Sequence, residues 1–253
     1  MIFRRIKAHI EKENWFAVGI DFVIVVIGVF IGIQVANWNA ARIEAGLKTS
    51  VQARLIADFD IIDMELNAAV QRSERQLMDL ETLRQSLARG AQNPDDKDAI
   101  LHALSRGMSY PRFTRRSATY QELQTGGRLD LIDHEPFRVA LSQYDENTQQ
   151  RRLNLRTIRD GMLQIGWKSG QYIDYAKLEQ DENGEFQILP TVGYDFEAML
   201  ADPEYLDRIE GMIVNQTWIH SNIRWARQDA NDVLAVIAEA EKQSQQQHHT
   251  DHP

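Results

Sequence analysis

The chain has 253 residues, 43% of them hydrophobic, with 28 Lys and Arg against 37 Asp and Glu for a net charge of -9; this ordinary composition excludes disorder throughout. A mean hydropathy of -0.43 with 26% charged residues excludes a multi-pass membrane protein, and the acidic balance gives no global field for nucleic acid phosphates. With no cysteine, disulfides, iron–sulfur ligation, cysteine-based zinc sites and thiol catalysis are excluded together.

Residues 1–15 form a short head carrying Arg4, Arg5, Lys7 and Lys12. Phe16 to Ala36 then reads FAVGIDFVIVVIGVFIGIQVA, twenty-one residues of which fourteen are Phe, Val or Ile. At about 1.5 Å per residue such a helix is roughly 31 Å long, the depth of a bilayer's hydrocarbon core. The run from Phe22 to Ile33 has no polar face, which favours a transmembrane helix over a buried core helix. A cleaved signal peptide would need a shorter apolar region and a small-x-small site, where this chain has Trp38 and Asn39. Positive-inside counting against Arg42, Lys48 and Arg54 on the far side favours a cytoplasmic amino terminus, since a long following domain crosses largely regardless of its charge. Trp15 and Trp38 then fall at the two interfaces.

On a helical wheel Asp21, Gly28, Gly32 and Ala36 share one stripe. Gly28 and Gly32 form G-x-x-x-G, the spacing that lets two helix backbones approach closely, and a carboxyl in lipid usually faces protein or water. These four are the candidate helix-pairing residues, in a homodimer or with a partner membrane protein. The alternative is a passive anchor whose Asp21 reaches the headgroups.

Beyond the span, Leu47, Val51, Leu55, Phe59, Ile62, Leu66 and Val70 recur in steps of three and four, so a helix is predicted to about Arg89, stopped by Gly90 and Asn93-Pro94. A helix of that length must bury its stripe against other helices or a second copy, as in a coiled coil. A shorter helix is predicted over Asp96–Arg106. The segment Ser117–Ile132 reads as a helix closed by Gly126-Gly127, and Glu135-Pro136 opens another with Phe137, Leu141, Tyr144, Leu155, Ile158, Met162 and Ile165 inward. DENGEFQIL, Asp181 to Leu189, predicts a small hairpin about Asn183-Gly184. Asp202-Pro203 caps a final long helix to about Lys242, and 243–253 is expected to be a disordered tail.

No catalytic or phosphate-binding motif appears, and Gly126-Gly127 reads as a helix C-cap. His248, His249 and His252 with Asp251 sit on a glutamine-rich tail and are not assigned as a metal site, so no metal or cofactor is expected. In the final helix Gln216, His220 and Arg227 lie within the apolar stripe, either as a satisfied interhelical network or as a polar ligand pocket. Trp218 and Trp225 take the opposite face and are interface candidates. Arg151, Arg152, Arg156 and Arg159, and the group Arg112, Arg115 and Arg116, read as solvated salt-bridging faces or an anion site. Asp95-Asp96 and Asp181-Glu182 read as a helix cap and a turn.

The block Ile27–Asn39, with Gln34, Trp38 and Asn39, and the block Ala118–Tyr144, with Tyr120, Glu122, Leu123, Gly127, Leu129 and Ile132, resemble a bacterial family of single-pass membrane proteins of unknown function. That family pairs an anchor ending in Gln-x-x-x-Trp-Asn with a helical domain. Its members commonly carry Glu in the first turns of the anchor, whereas this chain has Asp21, shifted by one position. The resemblance implies a membrane-anchored helical protein and no activity. The fold class expected is all-α: one transmembrane helix over 16–36, then over 37–242 an extracytoplasmic long-helix bundle with a small β-hairpin insertion. The function expected is a non-enzymatic scaffold or interaction module of the cell envelope, at the bacterial inner membrane with a periplasmic body. The alternative is a ligand-binding sensory or accessory domain acting through a membrane partner.

Overall fold

No proline and no left-handed glycine occurs between Trp15 and Arg89, and these residues form one helix, α1 (Trp15–Arg89). The computed structural model describes residues 15–107, 109, 115–175 and 191–250. They fall into two units, Met1–Gln52 and Ala53–Pro253.

The described part of the first unit is α1 as far as Gln52. Every residue from Val18 to Leu47 is exposed, including Phe22, Phe30 and the eleven Val or Ile residues from Val18 to Val35. The helix is apolar and long enough there to cross a membrane by length and composition. Asp21, Gly28, Gly32 and Ala36 are all on this exposed stretch, and nothing lies within 4 Å of the position a Cβ would take on Gly28 or Gly32.

The second unit is mostly helical. α1 ends where Gly90 turns left-handed at φ +69°. The Ala91 amide then donates to Ser86 O and the Gly90 amide to Leu87 O, the paired closure that needs glycine at this position. A 3-10 turn at Pro94–Asp96 leads into α2 (Lys97–Arg106). α3 (Ala118–Thr125) starts at Ser117, whose hydroxyl accepts the Tyr120 amide. It closes by the same device, with Gly127 at φ +64° and the Arg128 amide on Leu123 O. The helix thus ends at Thr125, closed at Gly126-Gly127 as the sequence predicts, and the apolar tail beyond it forms a separate 3-10 turn, Leu129–Leu131. α4 (Glu135–Ser169) is capped by His134 Nδ1, which accepts the Phe137 amide, with Pro136 in the first turn.

Two short strands, β1 (Ile173–Tyr175) and β2 (Thr191–Tyr194), pair antiparallel with Ile173 opposite Tyr194. The predicted hairpin arms over Asp181–Leu189 lie outside the described residues. The observed strands flank them, where Ile173, Tyr175, Val192 and Tyr194 supply β-branched and aromatic residues. α5 (Phe196–Ala201) follows, capped by Asp195. Asp202 then accepts the Glu204 amide at 3.0 Å and opens α6 (Tyr205–Thr250). The helix continues eight residues past Lys242 into the expected tail, because 243–250 holds no glycine or proline and is rich in glutamine, a good helix former.

A core is built from Leu80, Leu83 and Leu87 of α1, Ile100, Ala103 and Leu104 of α2, Ile173, Phe196 and Met199, and Tyr205, Ile209 and Met212 of α6. Tyr205 is fully buried and meets the Tyr172 ring edge to face at 5.4 Å. Further along, Phe59 of α1 meets Tyr144 of α4 at 4.9 Å in the same geometry. Leu80 is fully buried, whereas Met78, two residues away, is 61% exposed. Leu80→Ala is therefore expected to destabilise the protein by about 2–5 kcal/mol and Met78→Ala by no more than about 0.5 kcal/mol. Urea unfolding of the two variants beside the parent checks the difference.

Candidate functional site

The inner stripe of α6 carries Gln216, 1% exposed, with His220 one turn on and Arg227 two turns beyond that. Each turns to a different partner. Gln216 Nε2 donates to the Gly107 carbonyl at 2.8 Å and the Ser109 carbonyl at 3.3 Å, while its Oε1 is buried with no partner among the described residues. Ser73 of α1 donates its hydroxyl proton to Val70 O at 2.8 Å, so the His220 Nδ1–H donates to Ser73 Oγ, also at 2.8 Å. Burial pushes the His220 pKa down, opposed by nearby Glu74 and assisted by Arg224. Arg227 Nε donates to Asp63 Oδ1 of α1 at 3.0 Å. The arrangement joins α6 to α1 at two levels and to the chain after α2 at a third.

A second polar group, which helical-wheel counting did not single out, gathers at the start of α3. Asp58 Oδ2 of α1 accepts the Ser117 hydroxyl at 2.7 Å and the Thr119 amide at 2.9 Å. Burial alone would raise the Asp58 pKa, but these two donors and the Arg115 charge hold it below the usual carboxylate value. Arg116 grips Asp145 of α4 through Nε and Nη2, a bidentate pair at 2.5 and 2.8 Å. Gln149 donates to the same carboxylate at 2.8 Å. Tyr144 donates its hydroxyl to Arg115 O at 2.8 Å, and burial lifts its phenol pKa to about 12. Arg115 also pairs with Glu65, and Arg54 with Glu122. The sequence signals for this cluster were Ser117 at a helix start, the basic pair Arg115 and Arg116, and Tyr144 on an inward face; the cap from Asp58 comes from 59 residues away. Caps and ion pairs of this kind fasten three segments together.

The outer face of α6 is different. Val214, Trp218 and Trp225 are 57%, 53% and 52% exposed, so both tryptophans lie on the face opposite the buried stripe, as the wheel predicts. At 100° per residue these three fall within about 40° of one another. Exposed large aromatics grouped on one helix face are the usual anchors of a protein interface.

The other sequence candidates disperse. Arg151 is bound to Asp229 of α6, which also accepts Asn147 at 2.9 Å; Arg159 pairs with its neighbour Asp160. Arg112, Asp181 and Glu182 lie outside the described residues, as do Asp251, His252 and the side chains of His248 and His249. Asp96 accepts Arg89 and the Asn93 amide, completing a cap, whereas Asp95 takes no part in it. Among the described residues no group of three His, Asp or Glu side chains stands close enough to share a metal. No family model, curated protein or solved structure matches the chain.

In the Arg116–Asp145 pair the carboxylate is the more enclosed partner, 6% exposed against 22% for the guanidinium. Removing the arginine strands a buried charge, whereas removing the aspartate leaves a guanidinium able to reach water. Arg116→Ala is therefore expected to cost about 3 kcal/mol and Asp145→Ala about 2 kcal/mol. Denaturant unfolding of both variants tests the order, and equal losses or the reverse order would contradict it.

Proposed function

We propose that this chain is a single-pass protein of the bacterial inner membrane that serves as a non-enzymatic scaffold, holding a partner through the outer face of α6. The observation that carries the reading is the pair Trp218 and Trp225, half exposed on a helix whose opposite face is fully packed. Around it the polar side chains of the helical body, Asp58, Asp63, Asp145, His220 and Arg227, are engaged in fastening helices. The apolar stretch near the amino terminus supports membrane anchoring. The basic head and the positive-inside rule support a cytoplasmic amino terminus with a periplasmic body. The resemblance of Ile27–Asn39 and Ala118–Tyr144 to an anchored helical family points the same way.

A photo-crosslinking residue placed at Ser221, between the two tryptophans, tests the proposal in intact cells. The expected result is an adduct to an envelope protein identified by mass spectrometry, formed on a chain that stays in alkaline-carbonate-washed membranes and lost in the double variant Trp218→Ala, Trp225→Ala. A chain that washes off the membrane, or adducts indifferent to the tryptophans, would overturn it.

The same reading holds that the anchors pair, with Asp21, Gly28, Gly32 and Ala36 at the contact. Filling the backbone approach with side chains should weaken that contact, so Gly28→Ile with Gly32→Ile is expected to lower self-association at least fivefold in a membrane two-hybrid assay. Unchanged association would leave the stripe a lipid-facing surface.

A further inference from the structure

The outer face of α6 follows a seven-residue repeat. Val214, Trp218, Ser221, Trp225 and Gln228 are spaced four, three, four and three, the pattern of a seam that accepts another helix. Two aspartates close the seam. Asp207 lies seven residues before Val214 and Asp232 seven after Trp225, both exposed, with Glu210 exposed beside the first. Arg224 is the one base flanking the seam between them. The apolar stretch is thus bracketed symmetrically by acid, about 10 Å beyond either end at 1.5 Å per residue.

Resting on the proposed interaction role, we infer that the occupant of this face is a helix of another protein, apolar over three turns and carrying Lys or Arg about 10 Å beyond each end. Area argues for a slender occupant: Val214 and two half-exposed indoles leave roughly 300–400 Å² of apolar surface, about half of what one side of a standard globular interface buries. Ser221 is small and sits between the indoles, so a side chain from the partner can enter there. Charge separates this occupant from its rivals. A second copy laid parallel sets Asp207 on Asp207 and Asp232 on Asp232. Laid antiparallel with the apolar stretches aligned, Val214 on Trp225, it sets Asp207 on Asp232. Either alignment brings acid to acid, and an anionic bilayer does the same along its whole surface. A basic-ended helix meets complementary charge at both ends.

The chain has no cysteine, so Ser221→Cys in the full-length protein, held in phosphatidylcholine nanodiscs, takes a single environment-sensitive fluorophore. The probe is a synthetic 25-residue helix with a leucine seam over its central three turns and lysines at both ends. Its counterpart carries glutamates instead. The expected result is a saturable blue shift with the lysine helix, weakened at least tenfold in Asp207→Asn with Asp232→Asn, abolished in Trp218→Ala, and at least tenfold weaker for the glutamate helix. Equal binding of the two helices would overturn the inference. So would a shift produced by raising the protein's own concentration, or by vesicles containing phosphatidylglycerol without any peptide. If the lysine helix fails while the tryptophan-dependent adduct at Ser221 persists in cells, the partner's chemistry is wrong and the scaffold reading stands. If both fail, the scaffold reading falls as well.

Discussion

The helical body depends on α6 keeping one register against α1. An apolar seam alone would fix this weakly, since sliding by one turn exchanges leucines and isoleucines for their like at modest cost. Two polar contacts remove that freedom: His220 with Ser73 and, two turns further along α6, Arg227 with Asp63. A slip breaks both at once. It would leave the half-buried His220 Nδ1 without the Ser73 oxygen it now meets, and a polar group left unpaired in the interior costs about 1–3 kcal/mol. α4 is tied to the same helix through Asn147 and Arg151 on Asp229. α6 is therefore fixed on two sides before any loop is considered.

The short helix α3 is placed by a different means. Eight residues cannot hold a helix in water without outside help, and α3 (Ala118–Thr125) has contacts at both ends. Its amino-terminal amides are met by Ser117 and by Asp58 of α1, so a negative charge lies where the helix dipole favours one. Its carboxyl end is closed by Gly127. Arg116, just before the cap, takes Asp145 of α4. Three segments distant in sequence thus meet at one helix start, and the Phe59–Tyr144 ring contact lies on the same two long helices.

Much of this could be read from residues whose signals are local. Gly90, Ser117, Gly127, Pro136 and Asp202 each change the backbone within a few positions of themselves, and each marks a boundary where the sequence places one. Trp218 and Trp225 were separable from the buried stripe because a helix repeats its faces every 3.6 residues. Identities across space were not legible. The wheel put Gln216, His220 and Arg227 inside but could not say that they face a carbonyl at Gly107, a serine and an aspartate. Asp58 carries no signal of its own in the sequence; its role as the cap of α3 depends on a chain reversal that no local pattern records. The pairing of β1 with β2, Ile173 opposite Tyr194, carried no such local signal because it joins residues on either side of a long intervening segment, and the hairpin expected about Asn183-Gly184 lies outside the described residues. The helix end at Lys242 was an inference from falling hydrophobicity, and a run of glutamines lacks the backbone features that stop a helix.

α6 follows opposite rules on its two faces. Inward, where apolar groups are expected, it carries Gln216, Asn222 and a half-buried His220, with hydrogen bonds made to α1, to the chain after α2 and to its own backbone. Outward, where polar groups are expected, it carries two indoles and a valine. The inward departures are explained mainly by the fold, because His220, Asn222 and the Gln216 amide nitrogen find partners within the molecule, while Gln216 Oε1 has none among the described residues. The outward departure has no such partner in the described chain, and exposed indoles are a liability that a soluble surface ordinarily avoids. When a local rule is broken without internal compensation, the compensation belongs to an interaction outside the fold. The acids at both ends of that stripe narrow it further. Under the proposed scaffold role they leave the apolar surface open to a basic-ended helix while opposing a neighbouring copy and an anionic lipid surface.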